Sequence, residues 1–204
     1  MRGPRRQIAP IEPDDMNRFD SEAFSDREVF RANYDELCRA LTQLFDVESV
    51  LDIGSANGFV IDALLTQGKD VRGIELSTDV LPYLSDDSKA RTIIGDATRM
   101  GRIGEFDLVT CIEVAEHIPP ERSEALMDFI VSNTNRWLYF TAATPFQGGV
   151  GHINCRPHFF WLNGFRKRGM ELDYGRTARL IEQIKGMKPC IWLPLNSLIL
   201  TKHS

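Results

Sequence analysis

The chain has no excess of basic residues. Its 24 lysines and arginines stand against 29 aspartates and glutamates, a net charge of −5 and a pI near 5.4. That balance argues against a broad nucleic-acid face and leaves open only a local basic patch. Long apolar runs are missing too: no stretch nears the roughly 20 residues of a membrane span. Cysteine is sparse, with Cys38, Cys111, Cys155 and Cys190 scattered and no C-x-x-C pair among them. Reduced thiols in a cytoplasmic protein are the expectation. The opening MRGPRRQIAPIEPDD carries basic residues but no apolar core of the kind a secretory leader needs. Polar and marked by Pro4, Pro10 and Pro13, residues 1–22 read as a mobile arm. Residues 23–204 are of a size for one α/β domain.

Two phosphate-binding signatures are also lacking. No Gly-Lys-Ser/Thr follows a glycine loop, and no G-x-G-x-x-G is present. What stands instead is Leu51-Asp52-Ile53-Gly54-Ser55-Ala56-Asn57-Gly58. The apolar run Ser49 to Ile53 predicts a buried parallel strand, and Gly58 to Gln67 predicts a helix. Glycines between them let the backbone turn and let a ligand approach closely. This order resembles a class I S-adenosylmethionine (SAM) dependent methyltransferase, whose acidic residue and G-x-G-x-G loop it matches with Ala56 at the middle glycine.

Other segments fall into place around that loop. Ser25 and Glu28 have capping-box spacing, and Phe30, Tyr34, Leu37, Leu41 and Leu44 form one apolar helix face. Such a helix either closes over a cofactor or covers a sheet. Strands are expected at 70–74, 91–94, 106–111, 136–141 and 170–173, with helices near 77–84, 119–130, 157–167 and 177–185. Trp192 to Leu200 reads as a last strand that Pro194 marks as an edge or bulge. The expected architecture is α/β: a Rossmann-like, doubly wound, seven-stranded sheet with its last strand antiparallel.

The resemblance implies SAM as cofactor. Asp52, Gly54, Ser55, Ala56, Asn57 and Gly58 would hold the methionine side. Glu75 lies twenty-one residues beyond Gly54, where a carboxylate accepts ribose hydroxyls, with Leu76 packing beside it. Asp96 and Ala97 would meet the adenine, and Cys111, at the end of the fourth strand, would also contact the cofactor.

Past that strand comes Glu113-Val-Ala-Glu116-His117-Ile-Pro. On one helical turn, Glu113, Glu116 and His117 would face the same way. Two carboxylates and an imidazole suit a divalent cation, Mg²⁺ or Mn²⁺. Ubiquinone-pathway O-methyltransferases and small-RNA 2′-O-methyltransferases look similar here. A later histidine would complete the set: His152 first, His158 second. The competing reading gives these residues no metal. His117 then packs at the site floor or, like His152, acts as general base, with Glu113 tuning the site. The run from His158 to Arg168 offers aromatics and basic groups for a nucleic-acid face or, more simply, one amphipathic helix. The expected function is O-methylation of a small molecule such as a sugar, phenol or natural-product intermediate. An RNA 2′-O-methyltransferase and a non-catalytic nucleotide-binding module are the alternatives.

Overall fold

Buried apolar strands need both faces covered, and this chain alternates strands with helices to cover them. The computed structural model describes residues 24–202. The arm expected at residues 1–22 lies outside them. Helix α1 is Arg31–Leu44 and leads to strand β1, Ser49–Ile53. Then come α2 (Phe59–Leu65), β2 (Asp70–Glu75), α3 (Asp86–Arg91), β3 (Thr92–Ile94) and β4 (Phe106–Ile112). The chain continues through α4 (Ser123–Asn133), β5 (Thr134–Thr141), α5 (His158–Arg166), β6 (Met170–Leu172), α6 (Tyr174–Ile184), α7 (Trp192–Asn196) and β7 (Leu198–Lys202).

The seven strands form one sheet in the order β3-β2-β1-β4-β5-β7-β6. β1 pairs in parallel with both β2 and β4, and β7 runs antiparallel to both β5 and β6. The doubly wound sheet with an antiparallel last strand is therefore as expected. After β1 the chain winds outward to β3, then returns to lay β4 on the other side of β1. Sheets of this kind hold their ligands at the carboxyl ends of the strands beside that reversal.

One face of the sheet packs on α1, α2 and α6 through Leu37, Leu41, Ile61, Leu64, Leu180 and Ile184. The other packs on α4 and α5 through Leu126, Met127, Ile130, Trp161 and Phe165. Trp161 and Phe165 are fully buried, so α5 is the amphipathic helix of the simpler reading.

Four local expectations are corrected. Ser25 has helical backbone angles and makes no cap bond, and a 3-10 turn, Asp26–Phe30, precedes α1. Arg91 ends α3 instead of opening β3, because Ser85 caps a helix at the Ser88 amide (3.0 Å). Asp173 accepts the Arg176 amide (2.8 Å) and starts α6 three residues before Thr177. The run from Trp192 to Leu200 divides into α7 and β7, and β7 is an inner strand. Pro194 is buried in the first turn of α7, where an amide has no helical carbonyl to meet. Among the described residues no helix is long and apolar enough to cross a membrane.

Candidate active site

Gly54 and Ser55 both donate their amides to the Ile74 carbonyl, at 2.8 and 3.0 Å, folding the loop after β1 back over β2. Gly54, Ala56 and Gly58 have φ of +74°, +42° and +71°. A Cβ on Gly54 would stand 2.3 Å from Val114 Cγ2. This turn, with the carboxyl ends of β2, β3 and β4, walls a cavity of about 910 Å³.

Asp52, Gly54, Ser55, Ala56, Asn57, Glu75, Leu76, Asp96 and Ala97 line the cavity as expected. Two expected residues do not. Cys111 is fully buried on the opposite side of β4, among the residues facing α4 and α5, while its neighbour Ile112 faces the cavity. Gly58 shapes the turn without lining the cavity, packed so closely on Ser88 that a Cβ would lie 2.6 Å from its hydroxyl.

The carboxylates are held firmly. Asp52 accepts a hydrogen bond from Thr110 Oγ1 at 2.6 Å. Burial pushes its carboxyl up to about 7; the Thr110 bond opposes the shift and the Glu75 charge adds to it. Glu75 accepts the Ala56 amide on Oε2 (2.9 Å) and the amides of Leu76 and Ser77 on Oε1 (2.8 and 3.0 Å). Three amides thus fix the group from which ribose recognition was expected. Asp96 Oδ1 accepts from the amide and hydroxyl of Thr98, at 2.8 and 2.7 Å. Its Oδ2 lies 3.5 Å from an Arg122 guanidinium nitrogen.

A second group stands at the far side of the cavity. Glu113 is not on a helical turn with Glu116 and His117. It takes a left-handed φ of +52°, and only Ala115–His117 form a 3-10 turn. Donor atoms of Glu116, His117 and His152 all lie within 4.8 Å of one another, and Glu113 is outside that set. The loop after β5 brings His152 there, because the Ile153 and Asn154 amides both donate to the Glu116 carbonyl at 2.9 Å. Asn154 is buried and reinforces the junction by donating to Ser123 Oγ at 2.8 Å. His158 opens α5 and belongs neither to the cluster nor to the lining.

Both clustered rings are held through Nδ1, His117 at 3.1 Å from the Gly151 carbonyl and His152 at 3.2 Å from that of Gln147. A carbonyl only accepts, so each Nδ1 carries the hydrogen and Nε2 is the basic nitrogen. The rings meet edge to face, with centroids 4.9 Å apart. Glu116 is wholly buried, and among the described residues neither side-chain oxygen has a well-formed hydrogen bond, although the Ala143 amide and the Glu113 carboxyl are close enough to act on it. Burial, then the negative charge of Glu113, raise its carboxyl well above the usual range. Glu113 is raised by burial too, with the Asn196 bond pulling it back.

Several lining and supporting residues were not expected from the sequence. Arg27, Phe30 and Tyr34 reach the cavity from the segment before β1, and Gln147 and Trp192 from the last third. Of these, only Phe30 and Tyr34 gave a sequence signal, as part of the α1 apolar face. Asn196 donates from Nδ2 to both Glu113 Oε1 (3.0 Å) and Gln147 Oε1 (3.1 Å).

A family model described as a methyltransferase domain matches residues 25–184. The ubiquinone biosynthesis O-methyltransferase of Methylococcus capsulatus is 35% identical over 80 residues, 36% of this chain and 34% of that protein. That of Thiobacillus denitrificans is 29% identical over 101 residues, 46% of this chain and 44% of that protein. The match to the first of these thus spans about a third of the relative's length. Among solved structures, magnesium protoporphyrin IX methyltransferase from Synechocystis PCC 6803 with bound SAM superposes with a TM-score of 0.64 at 16% identity. That alignment covers 97% of this chain and 100% of the other. A TehB-like SAM-dependent methyltransferase from Corynebacterium glutamicum gives 0.64 at 18% identity, over 90% and 98% of the two chains. At such identities the likeness is one of fold.

Proposed function

Since the chain belongs to the methyltransferase-domain family, we propose that it transfers the methyl group of SAM to a hydroxyl oxygen of a small molecule. Residues 23–204 act as one catalytic unit in this reading. Asp52 and the turn from Gly54 to Asn57 hold the methionine side of SAM, Glu75 and Leu76 the ribose, and Asp96 with Ala97 the adenine. Their places along one cavity wall, at the ends of β1, β2 and β3, support that order. SAM supplies an activated methyl group on a sulfonium sulfur. The protein must then align the acceptor oxygen and remove its proton.

The observation that carries the oxygen-acceptor reading is the cluster of Glu116, His117 and His152. A buried carboxylate that lacks a well-formed hydrogen bond among the described residues and stands beside a second carboxyl is costly unless a cation or a proton compensates it. Two imidazoles with their tautomers set by carbonyls are suited to ligate through Nε2. We infer that the three residues hold Mg²⁺ or Mn²⁺, with Glu113 on the cavity wall contributing charge. Such an ion would lower the pKa of a bound hydroxyl. Without an ion, Nε2 of His117 or His152 takes the hydroxyl proton directly.

Turnover with labelled SAM and lysate metabolites tests the reading. Label is expected in a small molecule; label only in RNA would replace this reading with an RNA 2′-O-methyltransferase. Loss of turnover with EDTA, restored by Mg²⁺ or Mn²⁺, is expected for the ion version. Indifference to EDTA, with a loss on the order of 10²-fold in kcat for His117→Ala or His152→Ala, would identify the base version. Should EDTA and both substitutions leave kcat near wild type, neither version stands.

A further inference from the structure

A primary amide inside a protein is costly unless its polar atoms are bonded. Asn196 is such a group: it closes α7 and is 2% exposed. An apolar side chain would fill the same space without that cost. Its Nδ2 donates to two residues that line the cavity, Glu113 Oε1 at 3.0 Å and Gln147 Oε1 at 3.1 Å. The direction of this chain of bonds is fixed at its far end. Gln147 Oε1 also meets the Thr144 amide at 3.3 Å, and a backbone amide only donates. The Gln147 atom there is therefore the oxygen, Asn196 presents its NH₂ to it, and Glu113 accepts on the other side.

The two ends of the chain differ in firmness. Asn196 stands on a fixed base, because the next residue, Ser197, is buried, donates to the Leu193 carbonyl at 2.7 Å and meets the Tyr139 hydroxyl at 3.1 Å. Gln147 belongs to the loop after β5, between Phe146, fully exposed with φ +73°, and Gly148. Among the described residues the Gln147 side chain reaches outside that loop only to Asn196. The Gln147 carbonyl is in turn the partner of His152 Nδ1 at 3.2 Å. A line of bonds thus runs from α7 through one loop residue to the ring that completes the cluster with Glu116 and His117.

We propose that Asn196 is a positioning residue for His152: by holding the Gln147 side chain it keeps the Gln147 carbonyl on His152 Nδ1, and so leaves Nε2 bare for an ion or a proton. The inference rests on the reading of His152 as ligand or base. Groups bonded to the far nitrogen of such a histidine fix its tautomer and ring direction. Asn196 acts one residue further out. It holds Glu113 through the same nitrogen, so one amide sets two members of the site wall.

Long-range proton–nitrogen NMR on the full chain with isotope-labelled histidine, at pH 8 and without ligand, reads the tautomer directly. In wild type, His152 should show Nδ1 protonated and Nε2 bare. In Asn196→Leu the two nitrogen shifts should move towards each other, while those of His158, which opens α5 outside the cluster, stay in place. Gln147→Met cuts the same line at a half-buried loop position and should act alike, so the test stands even where the Asn196 variant does not fold. Calorimetry with Mn²⁺ should show an affinity loss on the order of ten- to a hundredfold in both variants. S-adenosylhomocysteine should bind them within about twofold of wild type. Unchanged His152 shifts in both variants would overturn the assignment. So would undiminished Mn²⁺ affinity in both, or equal movement at His158, a sign of general loosening. Failure of wild type to bind Mn²⁺ would instead remove the ion version of the proposed function, and the tautomer would still decide for or against Asn196.

Discussion

Asp52 shows how one residue couples the site to the fold. Its carboxyl is pushed up to about 7 because burial disfavours the charged form more than the Thr110 bond favours it. The folded chain therefore binds a proton more readily than the unfolded chain, where an aspartate titrates near its ordinary value of 3.8. Asp52 thus adds stability below about pH 4, and that stability is lost as pH rises towards about 7. Glu116, also raised, acts in the same direction. The size for Asp52 is on the order of a few kcal/mol. Asp52→Asn keeps an oxygen for the Thr110 hydroxyl and removes the titration. Urea unfolding of the ligand-free protein at pH 5, 6, 7 and 8 should give a shallower decline for Asp52→Asn and a more stable protein at pH 8. Parallel curves for variant and wild type would mean that Asp52 is already ionised throughout.

In the loop between β1 and α2, removing a methyl at one position and adding one at another have opposite expected effects. Ala56 is an L-residue with φ +42°, a conformation costing about 1 kcal/mol that glycine avoids. Ala56→Gly relieves that strain and gives back some unfolded-chain entropy, so stability should stay level or rise by up to about 1 kcal/mol. Gly54→Ala adds a methyl where φ is +74° and Val114 Cγ2 would be 2.3 Å away, which should cost at least about 2 kcal/mol. Denaturant midpoints decide both, and a destabilised Ala56→Gly would show that the methyl does useful packing.

Elements with a regular pattern were legible in the sequence in this way too: the buried run of β1, the four-three spacing of α1 and the glycine turn all stand where expected. Trp192 to Leu200 was not legible, because its apolar residues, broken by Pro194, Asn196 and Ser197, keep no period long enough to separate a short helix from a strand. Glu113 was misplaced because the E-x-x-E-H spacing assumes a helix. Its amide instead donates to the carbonyl and the hydroxyl of Thr141, at 3.2 and 2.9 Å, which bends the chain at β5 before the short turn begins.

Strand direction governs the assembly of the whole site. β1 to β5 point one way, so their carboxyl ends deliver Asp52, Glu75, Asp96, Glu113 and, through the loop after β5, His152 to one end of the sheet. β7 runs the other way, pairing Leu198 with Phe140, so its beginning lies at that same end. α7 immediately precedes β7, and this is why Trp192 and Asn196 reach a site lying far from them in sequence. No reading of local pattern could find them, since their role depends on the order of strands in the sheet. The same geometry predicts where a ligand should be felt. With saturating S-adenosylhomocysteine, hydrogen exchange should slow in the Asp26–Phe30 turn, the Gly54–Gly58 loop and the Ser77–Tyr83 segment. Their amides open through local motions that a ligand in the cavity would oppose. Central amides of β4 and β5, which open only with global unfolding, should slow only by the overall gain in stability. Amides at the opposite end of the sheet, where Asp107 accepts from the backbone of Glu48 and Ser49, should gain no protection beyond that. If protection appeared first at that opposite end, the cavity described here would not be where the cofactor binds.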